Sequence, residues 1–182
     1  MKRPPPVALR AVEVDDASVI QSWFDDEGFR QIAGARYPAS VQHWREWAER
    51  NKRPEFDNAT FAIYPADEDI LIGVGSLRNV SAEDRSAEIG IFIGFAEHRR
   101  RGYGFSATQQ LLHFGFTVMG LHRIYCRMLS HNRPGMGLVA ACGAVHEGTA
   151  REAKFIGGKF HDVENFAVLA TEFDTGQNTH RG

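Results

Sequence analysis

Cysteine is scarce in this 182-residue chain. Its two cysteines, Cys126 and Cys142, stand in apolar surroundings with neither CxxC nor Cys/His spacing, so no zinc or redox motif is written there. A disulfide between them stays open, but a reduced, cytoplasmic protein is the expectation. Long apolar runs are missing too: nothing approaches the roughly 18 residues of a membrane span, and no apolar stretch follows the basic pair and prolines of Met1 to Pro6. Nor is there a basic excess. With 21 Lys+Arg against 23 Asp+Glu the net charge is -2, which argues against a general binder of nucleic acid or anionic membrane and makes any basic patch local. Repeats and long linkers are absent as well. What remains, 43% hydrophobic and 24% charged, suits one compact domain with a full core.

The pattern along the chain predicts a mixed α+β sheet. Val7 to Val12 reads as a strand, after which Asp15 and Asp16 offer an N-cap for a helix with Val19, Ile20, Trp23 and Phe24 as its buried stripe. Ser40 caps a second helix carrying Trp44, Trp47 and Ala48. Three strands follow, over 59–64, 70–77 and 87–93. A longer helix starts near Gly104, with Ala107, Leu111, Phe114 and Val118 on one face and Gly120 at its end. His122 to Leu129 is then a strand, and Pro134 to Cys142 a short helix ended by Gly143. Strands over 151–156 and 163–173 join around Gly157-Gly158, a pair suited to a tight hairpin. Both chain ends, 1–6 and 174–182, read as loose.

Chemistry concentrates in Glu88-Ile-Gly-Ile-Phe-Ile-Gly-Phe-Ala-Glu-His-Arg-Arg-Arg-Gly-Tyr-Gly-Phe. A strand ends near Ile93, a loop crosses Arg99 to Gly104, and a helix follows. Unpaired amides and partial positive charge gather at a helix N-terminus. Glycines at 102 and 104 let a phosphate approach those amides, and Arg99, Arg100 and Arg101 add full charge at the same edge. A diphosphate is the ligand this suits best. The plainer reading is an ordinary Gly-Tyr-Gly turn beside a solvated basic corner.

Arg99-x-x-Gly102-x-Gly104 resembles the pyrophosphate loop, Gln/Arg-x-x-Gly-x-Gly/Ala, of the GNAT acetyltransferases, above all the branch of ribosomal-protein N-terminal and spermidine acetyltransferases. Leu9-Arg10 with Asp16 and Trp23 is similar to that branch's opening strand and helix, Gly120-Leu-His-Arg-Ile-Tyr125 to its fifth strand, Asn132 with Cys142-Gly143 to its asparagine-led helix, and Gly158-Lys-Phe-His-Asp162 to its final hairpin. The resemblance implies one acetyltransferase domain over 1–182, whose fourth and fifth strands splay around acetyl-CoA. It implies that backbone amides at Phe92 and Ile93 hold the pantetheine and thioester carbonyl. Arg99, Arg100, Arg101, Gly102, Tyr103, Gly104 and Phe105 would cradle the diphosphate, and Asn132 would bond the pantetheine arm unless it is simply a cap.

The implied reaction is direct attack of a primary amine on the thioester, with no metal and no covalent enzyme intermediate. Glu88 is the first candidate base, against a reading as a solvent-facing strand glutamate. Ser130 and His131 lie beside the expected cleft. His98 reads as surface, and His161-Asp162 as part of the fold. Gly135 and Val139 occupy positions where family members often carry a Ser or Tyr that serves as acid, and Arg100 stands where the loop usually has glycine. The expected acceptor is a protein N-terminus, a polyamine or an amine-bearing metabolite, with Asp25-Asp26-Glu27 in the loop after the first helix as a cation-attracting feature. Two alternatives remain: a non-catalytic acyl-CoA- or partner-binding protein, and a transferase with another acyl donor. No nucleic-acid or membrane partner is expected, and a homodimer is the assembly the resemblance suggests.

Overall fold

The computed structural model describes residues 3–173. Hydrogen-bonded neighbours in the sheet run β1 (Val7–Arg10), β2 (Ala59–Pro65), β3 (Gly73–Ser81), β4 (Ser86–Ile93), β5 (Arg123–Leu129), β7 (Lys159–Leu169), β6 (Val145–Ile156). Every pairing is antiparallel except that of β4 with β5. Helices α1 (Asp16–Asp25), α2 (Glu27–Ala33) and α3 (Val41–Asn51) cover one face, while α4 (Tyr103–His113) and α5 (Arg133–Ala141) lie on the other. Alternation along the strands sorts the core. Ala62, Tyr64 and Val74 face Ile20, Trp23 and Phe29, whereas Ile63, Leu77 and Ile89 face Ala107, Leu111 and Leu112.

The element order matches the sequence reading with one addition. The acidic run expected as loop is the junction of two helices. Asp25 closes α1, and Asp26 caps α2 by accepting the Phe29 amide at 2.6 Å. Gly34, at φ 71°, ends α2. At the start of α1 the cap also differs. Asp15 occupies the N-cap without a side-chain bond, while buried Asp16 pairs with Arg10 at 2.9 Å and accepts the Glu13 amide.

Other boundaries moved for local reasons. Exposed Ile70 precedes β3, which runs on to Ser81 past a bulge where Asn79 takes φ 52°. The last turn after α4, Phe114–Val118, is a π-turn. Its wider turn breaks the 3.6-residue phase, leaving Val118 68% exposed and burying Gly115 instead. Gly157 and Gly158, at φ 58° and 79°, both adopt the left-handed backbone of a two-residue hairpin, and β7 leaves it at Lys159. Pro5 and Pro6 are tied down rather than loose: the Ser106 hydroxyl donates to the Pro5 carbonyl at 2.6 Å, and the Ala66 amide to that of Pro6 at 3.1 Å. The expectations for Met1, Lys2 and 174–182 lie outside the described residues. Among the described residues no helix is long and apolar enough to cross a membrane.

Candidate active site

The parallel ladder between β4 and β5 lasts only three pairs, Ser86 with Arg123, Ala87 with Ile124 and Glu88 with Tyr125. Beyond them the strands fork. Main-chain groups point alternately to either side of a strand. The Gly94 amide bonds Ile72 at 2.8 Å on the β3 side, so the amides of Gly90 and Phe92 also point towards β3, while those of Ile89, Ile91 and Ile93 face the fork. Phe92 was expected to offer its amide; it offers its ring, and Ile91 joins Ile93 as a free donor in the gap. A cleft of about 560 Å³ opens here, lined by Ile91, Cys126, Asn132, Leu138 and Val139 among others.

The N-terminus of α4 closes one end of the fork. Its first i→i−4 bond, from the Ser106 amide to the Gly102 carbonyl, leaves the amides of Tyr103, Gly104 and Phe105 without intrahelical acceptors. Gly102 caps the helix at φ 95° with no side-chain bond, and a Cβ there would stand 2.8 Å from Pro5. A Cβ on Gly104 would meet Leu138 at 3.4 Å and Ile93 at 3.8 Å, so the helix end is open but snug.

The three arginines behave differently. Arg99 turns inward, bonding the carbonyls of Ile93 (3.0 Å) and Gly94 and lying over the Phe29 ring. It shapes the loop and is committed to protein. Arg100 and Arg101 are exposed. Arg100 has φ 58°, which explains why glycine suits that position. The rings of Tyr103 and Phe105 pack into the core, so their amides are the groups presented at the helix end. Asn132 caps α5, accepting the Gly135 amide at 3.0 Å; a Cβ on Gly135 would come within 2.7 Å of its Nδ2. The cap reading therefore holds in this structure, and Asn132 lines the cleft as well.

Glu88 sits at the crotch of the fork and is 4% exposed. It is no solvent-facing strand residue. Arg78 bonds one carboxylate oxygen at 3.2 Å, and Asn79 (2.8 Å) and Arg127 (3.1 Å) share the other. Gly90 makes room for the Arg78 guanidinium, which a Cβ would meet at 3.2 Å. Burial pushes the carboxyl up, but the charge of Arg78 and the bonds from Arg127 and Asn79 outweigh it and hold Glu88 below its ordinary value. It is an anion throughout the neutral range. Cys126, in the cleft wall, is raised to about 12 by burial first and then by Glu88 and Cys142, which leaves it a poor proton donor. The Thr108 hydroxyl is held by the Gly104 carbonyl at 2.7 Å.

A second hollow of about 490 Å³ lies on the α1–α3 side of the same strands. Trp23, Phe24, Trp44 and Trp47 wall it, and Arg78, Asn79 and Phe92 are common to both hollows. Sequence reasoning placed these tryptophans in helix cores and did not bring them together. The other candidates make contacts within the protein. His98 packs against Phe95 and Tyr103. His131 stacks near His161, and burial, then His161 and Lys159, push it down. The Asp162 carboxylate and carbonyl accept the amides of Glu152 and Ser130.

Comparison with known proteins adds four findings. The family described as "Acetyltransferase (GNAT) domain" matches residues 7–145. The chain is 29% identical over 169 residues to spermidine N(1)-acetyltransferase of Vibrio cholerae serotype O1, spanning 92% of this chain and 95% of that one. A crystal structure of spermidine N-acetyltransferase from Vibrio cholerae, in complex with CoA and spermine, superposes with a TM-score of 0.82 at 27% identity, covering 91% and 96% of the two chains. The [ribosomal protein uS5]-alanine N-acetyltransferase of Escherichia coli is 25% identical over 118 residues, 64% of this chain and 60% of that one.

Proposed function

This chain belongs to the acetyltransferase (GNAT) domain family, and on that premise we propose that it transfers an acetyl group from acetyl-CoA to a primary amine by direct attack in a ternary complex. The observation that carries the reading is the fork itself. Two unpaired amides, Ile91 and Ile93, lie along one open strand edge, and a helix N-terminus with two exposed arginines stands at its end. A long ligand with a diphosphate at one end and hydrogen-bonding carbonyls along its arm fits that arrangement.

The thioester supplies an electrophilic carbonyl and a thiol leaving group. In the proposed pose, Tyr103, Gly104 and Phe105 meet the diphosphate with their amides, Arg100 and Arg101 with their charge, and Asn132 flanks the arm. The Ile93 amide donates to the carbonyl oxygen as it gains charge. An alkylammonium near pKa 10.4 must lose a proton before attack, a gap of roughly 4–5 kcal/mol from neutral pH. Glu88, held as an anion by two arginines, is a weak direct base. We assign it to orienting water at the crotch of the fork, through which the ammonium proton leaves. Gly135 and Val139 carry no acid and the Thr108 hydroxyl in the cleft wall is committed to the Gly104 carbonyl, so the thiol, near pKa 8.5, departs without a side-chain donor. Two buried free thiols fit a reducing, cytoplasmic setting.

The second reading, a protein that binds acyl-CoA without turnover, is favoured by that same missing acid. Free thiol released from acetyl-CoA in the presence of an amine panel decides between them. Release that depends on the amine supports transfer; tight acetyl-CoA binding with no release across the panel supports the second reading.

A further inference from the structure

The hollow beside the fork points to an acceptor class. We infer that the amine accepted here carries an aromatic or branched apolar body and a single positive charge, in preference to a polyamine. This rests on the proposed transferase reading, because it treats the hollow as the acceptor's place.

Position comes first. The hollow shares Arg78, Asn79 and Phe92 with the acyl-CoA cleft, so an amine reaching past Phe92 arrives at the crotch held by Glu88. Size comes next: about 490 Å³ falls in the range that encloses a small organic molecule. Its walls are Trp23, Phe24, Trp44 and Trp47, with Ile20 and Phe92. Phe24 and Trp44 pair at 4.5 Å between ring centroids, and Trp44 and Trp47 at 5.9 Å. A planar or branched apolar group buries area against these aromatic walls.

Charge decides against a polycation. One carboxylate, Asp57, is among the lining residues, and the lining cation Arg78 belongs to a cluster with Arg127 and Glu88 that is itself positive overall. The buried indole N–H groups of Trp23 and Trp44 have no partner, but as donors they offer an ammonium nothing, and the lining amides and threonine are engaged with one another. Asn51 donates to the Trp47 carbonyl at 2.7 Å, Asn58 to Asn51 at 2.7 Å, and Thr60 to Asn58 at 3.1 Å. Beyond the one ammonium that Asp57 could meet, further charges of a polyamine would lose water here without gaining a carboxylate, which is costly. The acids of the α1–α2 junction do not supply them, since Asp25, Asp26 and Glu27 are exposed and absent from the lining.

The same chemistry could arrive as a free arylalkylamine or as a peptide N-terminus with an aromatic first residue. The test measures acetyl transfer to phenethylamine, to a peptide beginning with Phe, to one beginning with Gly, and to spermidine, alongside amine binding read by tryptophan fluorescence. Expected is a kcat/KM for phenethylamine or the Phe peptide about tenfold or more above that for spermidine, the better of the two identifying the source, on the scale of burying one apolar side chain. Trp44→Ala should lower that value about tenfold or more while acetyl-CoA binds as before. Because Trp44 also supports the helices, Ser76→Leu, which fills the floor of the hollow without removing a wall, should do the same. Transfer led by spermidine, or aromatic-amine kinetics unmoved by both variants, overturns the inference and leaves the transferase reading standing. Aromatic amines that quench fluorescence while no amine of the panel is acetylated overturn the transferase reading and leave the hollow's ligand class standing.

Discussion

In the proposed pose a ligand on the β5 side of Phe92 meets main chain: the amides of Ile91 and Ile93 and of the first turn of α4. On the α1 side it meets side chains, four aromatic rings drawn from two helices that are separate in sequence. Main-chain donors along a strand edge thus mark one hollow, and aromatic rings mark the other. Backbone recognition survives many substitutions because only chain direction and a few glycines must be right, whereas a side-chain box changes its ligand with one residue. Relatives sharing this fold can therefore keep one donor while differing in acceptor.

Glu88 stands where the two regions join, and its removal should have the largest effect. Glu88→Gln should lower kcat about 10²–10⁴-fold, the range of general acid–base assistance. Acetyl-CoA binding should change little, as titration of both variants will show. Because its folded pKa is depressed, Glu88 contributes stability that is present above the ordinary carboxylate range and lost as pH falls through its folded value. The melting-temperature gap between parent and Glu88→Gln should be full at pH 7 and close below the carboxylate range. Over neutral pH, log kcat/KM of the parent should climb with pH towards the amine's own pKa, with no break from Glu88.

Gly104→Val comes next and should touch only the backbone-lined side. A branched side chain at the open helix end should cost about 10²-fold in acetyl-CoA affinity, on the scale of one or two charge-assisted bonds, with melting near that of the parent since a Cβ there makes only ordinary contacts with Leu138 and Ile93. A smaller effect separates the arginines. Replacing Arg100 and Arg101 together by Ala should weaken acetyl-CoA binding several-fold to about tenfold and flatten its salt dependence. Arg99→Ala should keep the salt dependence and lower the melting temperature, because Arg99 holds the carbonyls of Ile93 and Gly94. The smallest change expected is a gain: Val139→Tyr places a phenol in the cleft wall and should raise turnover modestly wherever binding and folding persist.

The sequence-legible parts of this molecule are the ones that local rules govern. The fork's helix end was readable because glycines 102 and 104 and the flanking arginines are contiguous, and the hairpin because Gly157-Gly158 has one natural turn. Helix α2 was readable in hindsight, from Asp26 and Gly34 as its caps. Val118 misled because no residue in its turn announces a π-turn. The unequal duties of Arg99, Arg100 and Arg101 depend on which carbonyls the loop leaves open, and the aromatic hollow depends on α1 and α3 packing side by side on one face of the sheet. Neither is a property of any contiguous stretch. The Glu88 network is of the same kind: Arg78 and Asn79 come from β3 and Arg127 from β5, and Asn79 reaches it only through a bulge.

The central claim is that acetyl-CoA lies along the open edge of β4 with its diphosphate on α4. Amide-resolved hydrogen exchange, with and without acetyl-CoA, tests this most directly. The account predicts that binding slows exchange at Ile91, Ile93 and Gly104 and leaves Phe92, already bonded to β3, unchanged. Acetyl-CoA binding that leaves Ile91, Ile93 and Gly104 exchanging as in the free protein would contradict it.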